Sequence, residues 1–343
     1  MKKIIALILT VSLFALSLVA CASYQRASHS VTYIEDYFHT ECTIQSYAGD
    51  TRSDFDKVEE ICRDYLSRYH KLLDKYFEYA DVVNIMTLNK EAKNGPVEVS
   101  QELFDFLKSC KEMYTKTRGE TNVAMGAVLE LWHDAREAEE KCLPTHEDLL
   151  RAAEHTSIDD LVLDEENLTV YYSDPELSLD VGAVGKGYVA QLLKDKLEDM
   201  GVSGYVLNIG RNLCFVGERV GGYPFGVKII NPDLASSQKY IMRVEVADTS
   251  LVTSGDYENF FTFEGKNYHH IIDKDTLLPS THFSSVSIIT DDSALADALS
   301  TALFCMTYDE GLALIEELGN VEALWVTPEG EILKSDGFDK YVA

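Results

Sequence analysis

Three short stretches of this chain carry the residue types that chemistry needs. The first is SLDVGAVGKGYVAQLL, Ser178 to Leu193. Leu177 to Asp180 reads as a strand end. Val189, Leu192, Leu193, Leu197 and Met200 then mark one helical face, which Gly201 closes. Gly182 to Gly187 therefore lies at a helix N-terminus, where free amides and the dipole favour negative charge. The glycine order is neither that of a Walker A loop, since no Ser or Thr follows the lysine, nor that of a dinucleotide fingerprint. A lysine in the first helical turn opposes the dipole, so Lys186 calls for an anion beside it. A tight turn whose lysine is merely solvated is the alternative.

The second stretch is DDSALADALSTALFCM, Asp291 to Met306. At helical periodicity Asp297, Ser300 and Thr301 share one face, and Leu295, Ala298, Leu299, Ala302 and Leu303 share the other. One carboxylate and two hydroxyls are hard oxygen ligands of the kind Mg²⁺ or Ca²⁺ takes. With a single charge, such a cation would need further oxygens from a ligand such as a diphosphate. The plain reading is the solvated face of an amphipathic helix. The third stretch is TSGDYENFFTFEGKNYHHIIDKDTLLPS, Thr253 to Ser280. Phe260–Phe263, a Glu264-Gly265 turn and Tyr268–Ile272 predict a β-hairpin. His269 and His270 are consecutive on a strand and point to opposite faces, so at most one serves a given pocket.

The elements that must hold these groups are legible in outline. Phe55, Val58, Ile61, Cys62, Tyr65, Leu66 and Tyr69 recur at three and four, behind a capping pair of Ser53 and Asp56. Leu103, Phe104, Leu107, Cys110 and Tyr114 repeat the pattern up to Gly119. Thr145 and Asp148 open another helix. Strand-like runs lie at Thr43–Tyr47, Leu168–Tyr172, Tyr205–Ile209, Tyr223–Ile230, Ile241–Val246, Val286–Thr290 and Ala323–Thr327. Helices and strands mix without strict alternation, which predicts an α+β fold.

The N-terminus reads as an export signal. Met1-Lys2-Lys3 precedes an apolar run from Ile4 to Val19, too short for a comfortable membrane span. It ends Leu18-Val19-Ala20-Cys21, which resembles a bacterial lipobox. The expected organisation is a signal peptide over 1–20, a lipidated tether over 21–30 starting at Cys21, and one catalytic domain over 31–343. The protein is then extracytoplasmic and held to the cell membrane by its lipid. The alternative is a buried hydrophobic helix whose cysteine is incidental. The formal charge of −28 disfavours a nucleic-acid partner. It also repels anionic ligands at long range, so a phosphate compound must be held by local devices. The six cysteines beyond Cys21 form no CxxC pair; Cys62, Cys110 and Cys305 fall at apolar helix positions, which predicts buried thiols.

Taken in order, these stretches resemble the ApbE-type FAD:protein FMN transferases. LDVGAVGKGY resembles their Asp-Leu-Gly-Gly-x-x-Lys-Gly segment, and YVLNIGRN their Asn-Leu-Gly-Gly-Asn strand. VTSGDYENFF with YHHIID resembles their Thr-Ser-Gly-x-Tyr and His-Ile-Ile-Asp-Pro pair, and ADALSTALF their Ala-Asp-Ala-Leu-Ala-Thr-Ala helix. The likeness runs from about Tyr37 to about Met306. It implies an α+β, ApbE-like (T-fold-related) arrangement of mixed sheets packed with helices. It implies Mg²⁺-dependent transfer of FMN from FAD to a Ser or Thr hydroxyl of a partner flavoprotein, with release of AMP. By position, Asp180 and Lys186 would contact FAD, as would Glu120, Thr121 and Asn122 after Gly119. Tyr76 would lie against the flavin and Ile272 would line its pocket. The carbonyl of Ala183 would bind metal with Asp297, Ser300 and Thr301, and His270 would sit near the reacting phosphate as the base.

Several positions depart from the pattern. Arg211 stands where a second glycine is usual, and Asn122 replaces an Asp. Lys274 and Leu277 replace Pro and Gly after Asp273. His39 stands where Gly or Asp is common. A metal-dependent FAD diphosphatase and a flavin-binding lipoprotein without chemistry are the competing readings; a plain scaffold has no need of Lys186, His270 and the Asp297 face together.

Overall fold

The computed structural model describes residues 27–343. The expected signal peptide, Cys21 and most of the tether lie outside the described residues. Strand β1 (His29–Tyr37) begins just ahead of the expected domain start, with Ser28 N donating to Ser46 O at 2.8 Å.

Among the described residues the frame is an antiparallel sheet of eight strands. Its members are β1, β2 (Thr40–Ser46), β6 (Tyr205–Ile209), β7 (Asn212–Val216), β10 (Ser250–Gly255), β13 (Ser285–Thr290), β14 (Glu322–Val326) and β15 (Ile332–Lys334), in the order β1-β2-β6-β7-β10-β13-β14-β15. Smaller sheets pair β3 (Val97–Glu98) and β4 (Leu161–Asp164) with β5 (Thr169–Tyr172), β8 (Phe225–Ile230) with β9 (Tyr240–Val246), and β11 (Phe260–Phe263) with β12 (Lys266–His269). In β2 the alternation is plain: Cys42, Ile44 and Ser46 are buried and the residues between them are less so. Strand β13 is buried at every position, as expected for a central strand covered on both faces. Hairpin β1–β2 turns at Phe38 and His39, β6–β7 at Gly210 and Arg211, and β11–β12 at Glu264 and Gly265. All six residues have positive φ, the two-residue turn that suits the twist of paired strands.

The helices are α1 (Arg52–Leu72), α2 (Ile85–Glu91), α3 (Gln101–Lys116), α4 (Gly126–Glu137), α5 (His146–Ala153), α6 (Gly185–Asp199), α7 (Ser293–Cys305) and α8 (Tyr308–Leu318). Helix α1 is capped by Thr51, whose side chain accepts from Asp54 N, rather than by the expected Ser53 and Asp56. Thr51 is the residue with extended backbone, so the cap lies two residues earlier than the sequence pattern suggests. The cap of α5 is the expected Thr145, accepting from Asp148 N. Hairpin β11–β12 ends at His269, not Ile272; Ile272 instead bridges Pro279.

The largest core lies between α1, α3, α6 and one face of β2, β6 and β7. A second packs α7 and α8 on β13 and β14, a third puts β8–β9 on the sheet, and a fourth joins α4, α5 and β11–β12. Cys62, Cys110 and Cys305 are buried free thiols, as their periodic positions predicted. Among the described residues no helix is long and apolar enough to cross a membrane.

Candidate active site

The site begins where α6 meets α7. A Cβ on Gly187 would lie 2.4 Å from both Asp297 Cβ and Ser293 O, so only glycine lets the two helices approach this closely. The approach brings the Asp297 carboxylate onto the start of α6, where Oδ2 accepts from Gly187 N at 2.8 Å. The chain itself thus sets one carboxylate at the helix N-terminus. Asp297 is 5% exposed. Burial raises its pKa, against the pull of Lys186, the Gly187 amide and the Asn212 side chain. A buried carboxylate incompletely neutralised by protein is what a bound cation would relieve. Beside it, the Ser300 hydroxyl lies 2.8 Å from Ser254 Oγ and donates to Asp297 O at 2.9 Å. Among the described residues no three His, Cys, Asp or Glu cluster as a metal site. The donors present are one carboxylate, hydroxyls and the nearby Ala183 backbone, a set that fits a hard cation sharing oxygens with a ligand.

Lys186 and Asp180 flank this corner without pairing to each other. Lys186 Nζ donates to Gly182 O at 2.9 Å, which leaves two of its three donors for a ligand. Asp180 Oδ2 pairs with Lys75 Nζ at 2.9 Å, and its Oδ1 accepts from Gly182 N at 2.9 Å. Burial alone would raise the Asp180 pKa; Lys75 and that amide outweigh it and hold the carboxyl low. Lys75 also reaches Glu130 at 3.0 Å and lies 4.9 Å from the Tyr76 ring centroid.

The two histidines divide as expected. His269 is buried, its Nε2 donating to Ser280 O at 2.8 Å while Nδ1 accepts from Ile271 N at 3.2 Å, so it is a satisfied structural residue. His270 just past the strand end faces the cavity. Its ring keeps solvent access, yet dense surrounding protein, then His269, Lys186 and Arg136, pull its pKa down to about 4. The Glu258 carbonyl opposes this by hydrogen bonding to the ring. At neutral pH His270 is therefore an uncharged imidazole with a nitrogen able to take a proton.

The opposite wall comes from α4, which the sequence reading did not single out. Met125, Leu129 and Trp132 line the cavity with Ile271 and Ile272. His133 packs against Tyr76 with ring centroids 5.1 Å apart and planes tilted by 34°, and Arg136 Nη2 contacts His133 Nδ1 at 2.8 Å. The signal for His133 and Arg136 was their spacing of three on one helix. Of the segment after Gly119, Glu120 pairs with Lys274 at 3.3 Å, and burial outweighs that lysine to raise the Glu120 pKa. Thr121 Oγ1 donates to Ala298 O at 2.7 Å, and Asn122 binds Thr156 O and Ala124 N, so both side chains also serve the frame.

One cavity of about 200 Å³ gathers Tyr76, Glu120, Thr121, Asn122, Asp180, Ala183, Lys186, His270, Ile272, Asp297 and Thr301. Ser300 lies behind its wall, fully buried. A second chamber of about 160 Å³ shares Tyr76, Asp180, Gly182 and Lys186 with it and is closed by Phe38, His39 and His70. Every expected position except Cys21 thus falls in or against one site.

The ApbE family matches residues 38–325. This chain belongs to that family. It is 31% identical over 267 residues to the FAD:protein FMN transferase of Treponema pallidum, covering 74% of this chain and 73% of that protein. It is 29% identical over 274 residues to a Klebsiella pneumoniae protein of the same name, covering 78% and 84%. In fold it is similar to the crystal structure of a Thermotoga maritima ApbE protein, with a TM-score of 0.81, 24% identity and coverage of 92% and 100%. It is also similar to a variant of the flavin transferase ApbE from Vibrio cholerae, with a TM-score of 0.76, 25% identity and the same coverage.

Three of the departures from the ApbE pattern fall at left-handed positions. His39 (φ 51°), Arg211 (φ 69°) and Leu277 (φ 60°), each where glycine is common, all adopt the left-handed conformation that glycine takes freely. The turn after Asp273 is closed by its backbone: Leu277 N donates to Asp273 O at 2.8 Å and Asp273 N to Leu278 O at 2.9 Å.

Proposed function

We propose that this protein is an FAD:protein FMN transferase that moves FMN from FAD to a Ser or Thr hydroxyl of an exported or membrane flavoprotein and releases AMP. The observation that carries the reading is the convergence of Lys186, His270 and the buried Asp297 carboxylate on one cavity.

The chemistry follows from the groups present. Phosphoryl transfer depends on positioning and charge neutralisation more than on covalent help. Lys186 offers its spare donors to the diphosphate. Asp297, the Ala183 carbonyl and Thr301 are the residues that would hold Mg²⁺, which when bound supplies positive charge to the diphosphate, and the buried Ser300 hydroxyl would support them from behind the wall. The acceptor oxygen forms a new bond to the FMN-side phosphorus, and the bond from that phosphorus to the bridging oxygen breaks. The bridging oxygen leaves with AMP, and the hydroxyl proton passes to His270. A low-pKa imidazole is a weak base; diphosphate anions nearby favour its protonated form and raise its strength as the complex forms. The apolar side of the cavity, Met125, Leu129, Trp132 and Ile272 with the Tyr76–His133 pair, suits the flat flavin. The lipobox-like Leu18 to Cys21 supports a lipid anchor outside the cytoplasmic membrane.

The test mixes protein lacking residues 1–21 with FAD, Mg²⁺ and a Thr-containing acceptor domain, followed by a denaturing gel and AMP quantification. A fluorescent acceptor band with AMP is the expected result. FMN and AMP without a labelled acceptor would instead indicate a diphosphatase, and bound FAD with neither product a flavin carrier.

A further inference from the structure

Arg211 is held in an unusual way. It is the second residue of the β6–β7 turn and has φ 69°, a conformation that disfavours any side chain with a Cβ. Its guanidinium reaches across to the segment after β10. There it ion-pairs with Glu258, lies 5.4 Å from the Tyr257 ring centroid, and donates to Tyr257 Oη at 3.4 Å. Its own N–H donates to Asn208 Oδ1 at 2.9 Å.

Both ends of this link touch a group assigned to the reaction. At one end, Gly210 packs on the stem of Lys186: a Cβ there would lie 3.1 Å from Lys186 Cδ and 2.8 Å from the Thr40 side chain. At the other, the 257–259 turn leads into β11, where Phe260 pairs with His269, so the register sets His270 beside that turn. Lys186 comes from α6 and His270 from the end of β12, and neither hydrogen-bonds the other.

We propose that the Arg211–Glu258 pair is a positioning clamp that fixes Lys186 and His270 relative to one another. The assignment rests on the roles given above to those two residues. Without the clamp the hairpin tip and the 257–259 turn separate. The phosphate-binding ammonium and the proton-accepting ring then lose their common register, while the rest of the FAD cavity stays intact. Displacements of an ångström between reacting groups are enough to cost large factors in rate.

The experiment is a double-mutant cycle on the protein without residues 1–21, using Arg211→Gly, Glu258→Gln and both together. Arg211→Gly suits the left-handed turn, so its thermal midpoint should be no lower than the parent's. Each single change should lower kcat by roughly tenfold with the Kd for FAD changed by less than about twofold. The double variant should be no slower than the slower single, since both remove one interaction. Arg211→Lys, which keeps charge without the fork or the stack, should recover part of the rate. A readout that needs no turnover is the NMR titration of His270. The groups bearing on its ring are His269, Lys186, Arg136 and Glu258. Arg211→Gly lets the 257–259 turn move away, which takes the Glu258 carbonyl from the ring and should lower the His270 pKa further. An unmoved His270 titration with unchanged kcat, or additive losses in the double variant, overturns the clamp. A loss with Glu258→Gln about a hundredfold beyond that with Arg211→Gly also overturns it, because Glu258 would then act on substrate directly. Should the parent protein label no acceptor, the transferase reading fails, and the His270 titration still decides the clamp.

Discussion

The two sides of the cavity are built by different means. On the α6–α7 side, the two helices touch backbone to side chain at Gly187 and Asp297, and the key groups are buried. On the α4 side, Lys75, Tyr76, His133 and Arg136 hold one another through ion pairs and ring contacts, and several remain partly exposed. The first arrangement has no slack: its geometry follows from close packing, which resists even one added methyl. The second is made of long side chains in solvent contact, where individual interactions are weak and replaceable. Under the proposed reaction the contrast suits a division of labour, since a reacting phosphorus needs fixed charges and a flat ring system needs only a conforming wall.

That contrast can be broken most severely at Asp297. Asp297→Asn keeps an acceptor for Gly187 N but removes the charge, and metal-dependent AMP release should fall by about 10³-fold. The metal-free fold should not suffer. Burial raises the folded-state pKa of Asp297, so the unfolded chain ionises first and stability declines as pH rises from its unfolded value near 4 toward its folded value. The variant lacks that decline. Thermal melts across pH with and without Mg²⁺ check both points: Mg²⁺ should raise the melting temperature of the parent protein and not of the variant.

His270→Ala comes next, with a loss of about 10²-fold in acceptor labelling and little change in FAD binding. Loss of FAD binding instead would make His270 a pocket residue. Because its pKa is lowered to about 4, the acid limb of kcat/KM should lie below the ordinary imidazole range. A base works only when unprotonated, so activity persists until pH falls through that lowered value. Lys186→Met removes one of the cations that depress it and should move the limb to higher pH.

Gly187→Ala tests the packing without removing a functional group. Its Cβ must displace Asp297 or Ser293, and urea denaturation should show a loss of about 1–3 kcal/mol. Arg136→Met, on the opposite wall, should weaken FAD binding by no more than about fivefold with kcat unchanged, as expected for a partly exposed charge. An effect as large as that of Asp297→Asn would end the distinction between the two sides.

Much of the site was legible in the sequence because its motifs are local. Glycine spacing marked the start of α6, helical periodicity put Asp297, Ser300 and Thr301 on one face, and strand alternation separated His269 from His270. Lys75, His133 and Arg136 were missed for the opposite reason. On an amphipathic helix or a short loop, a charged residue turned into a cleft has the same sequence appearance as one turned into water. The cap of α1 shifted from Ser53 to Thr51 because several residues there can serve, and only the local backbone selects one.

The chain by itself settled which groups are available and which face of its element each one occupies, since neighbours along the backbone fix helix and strand geometry. It also marked the turn at Glu264 and Gly265, where glycine is free of the Cβ penalty. It could not say that the anion at the start of α6 would be a carboxylate 110 residues further along. Nor could it say that Asp180 would pair with Lys75 rather than Lys186. Those choices depend on which surfaces exclude water together, and that is decided only when distant segments pack.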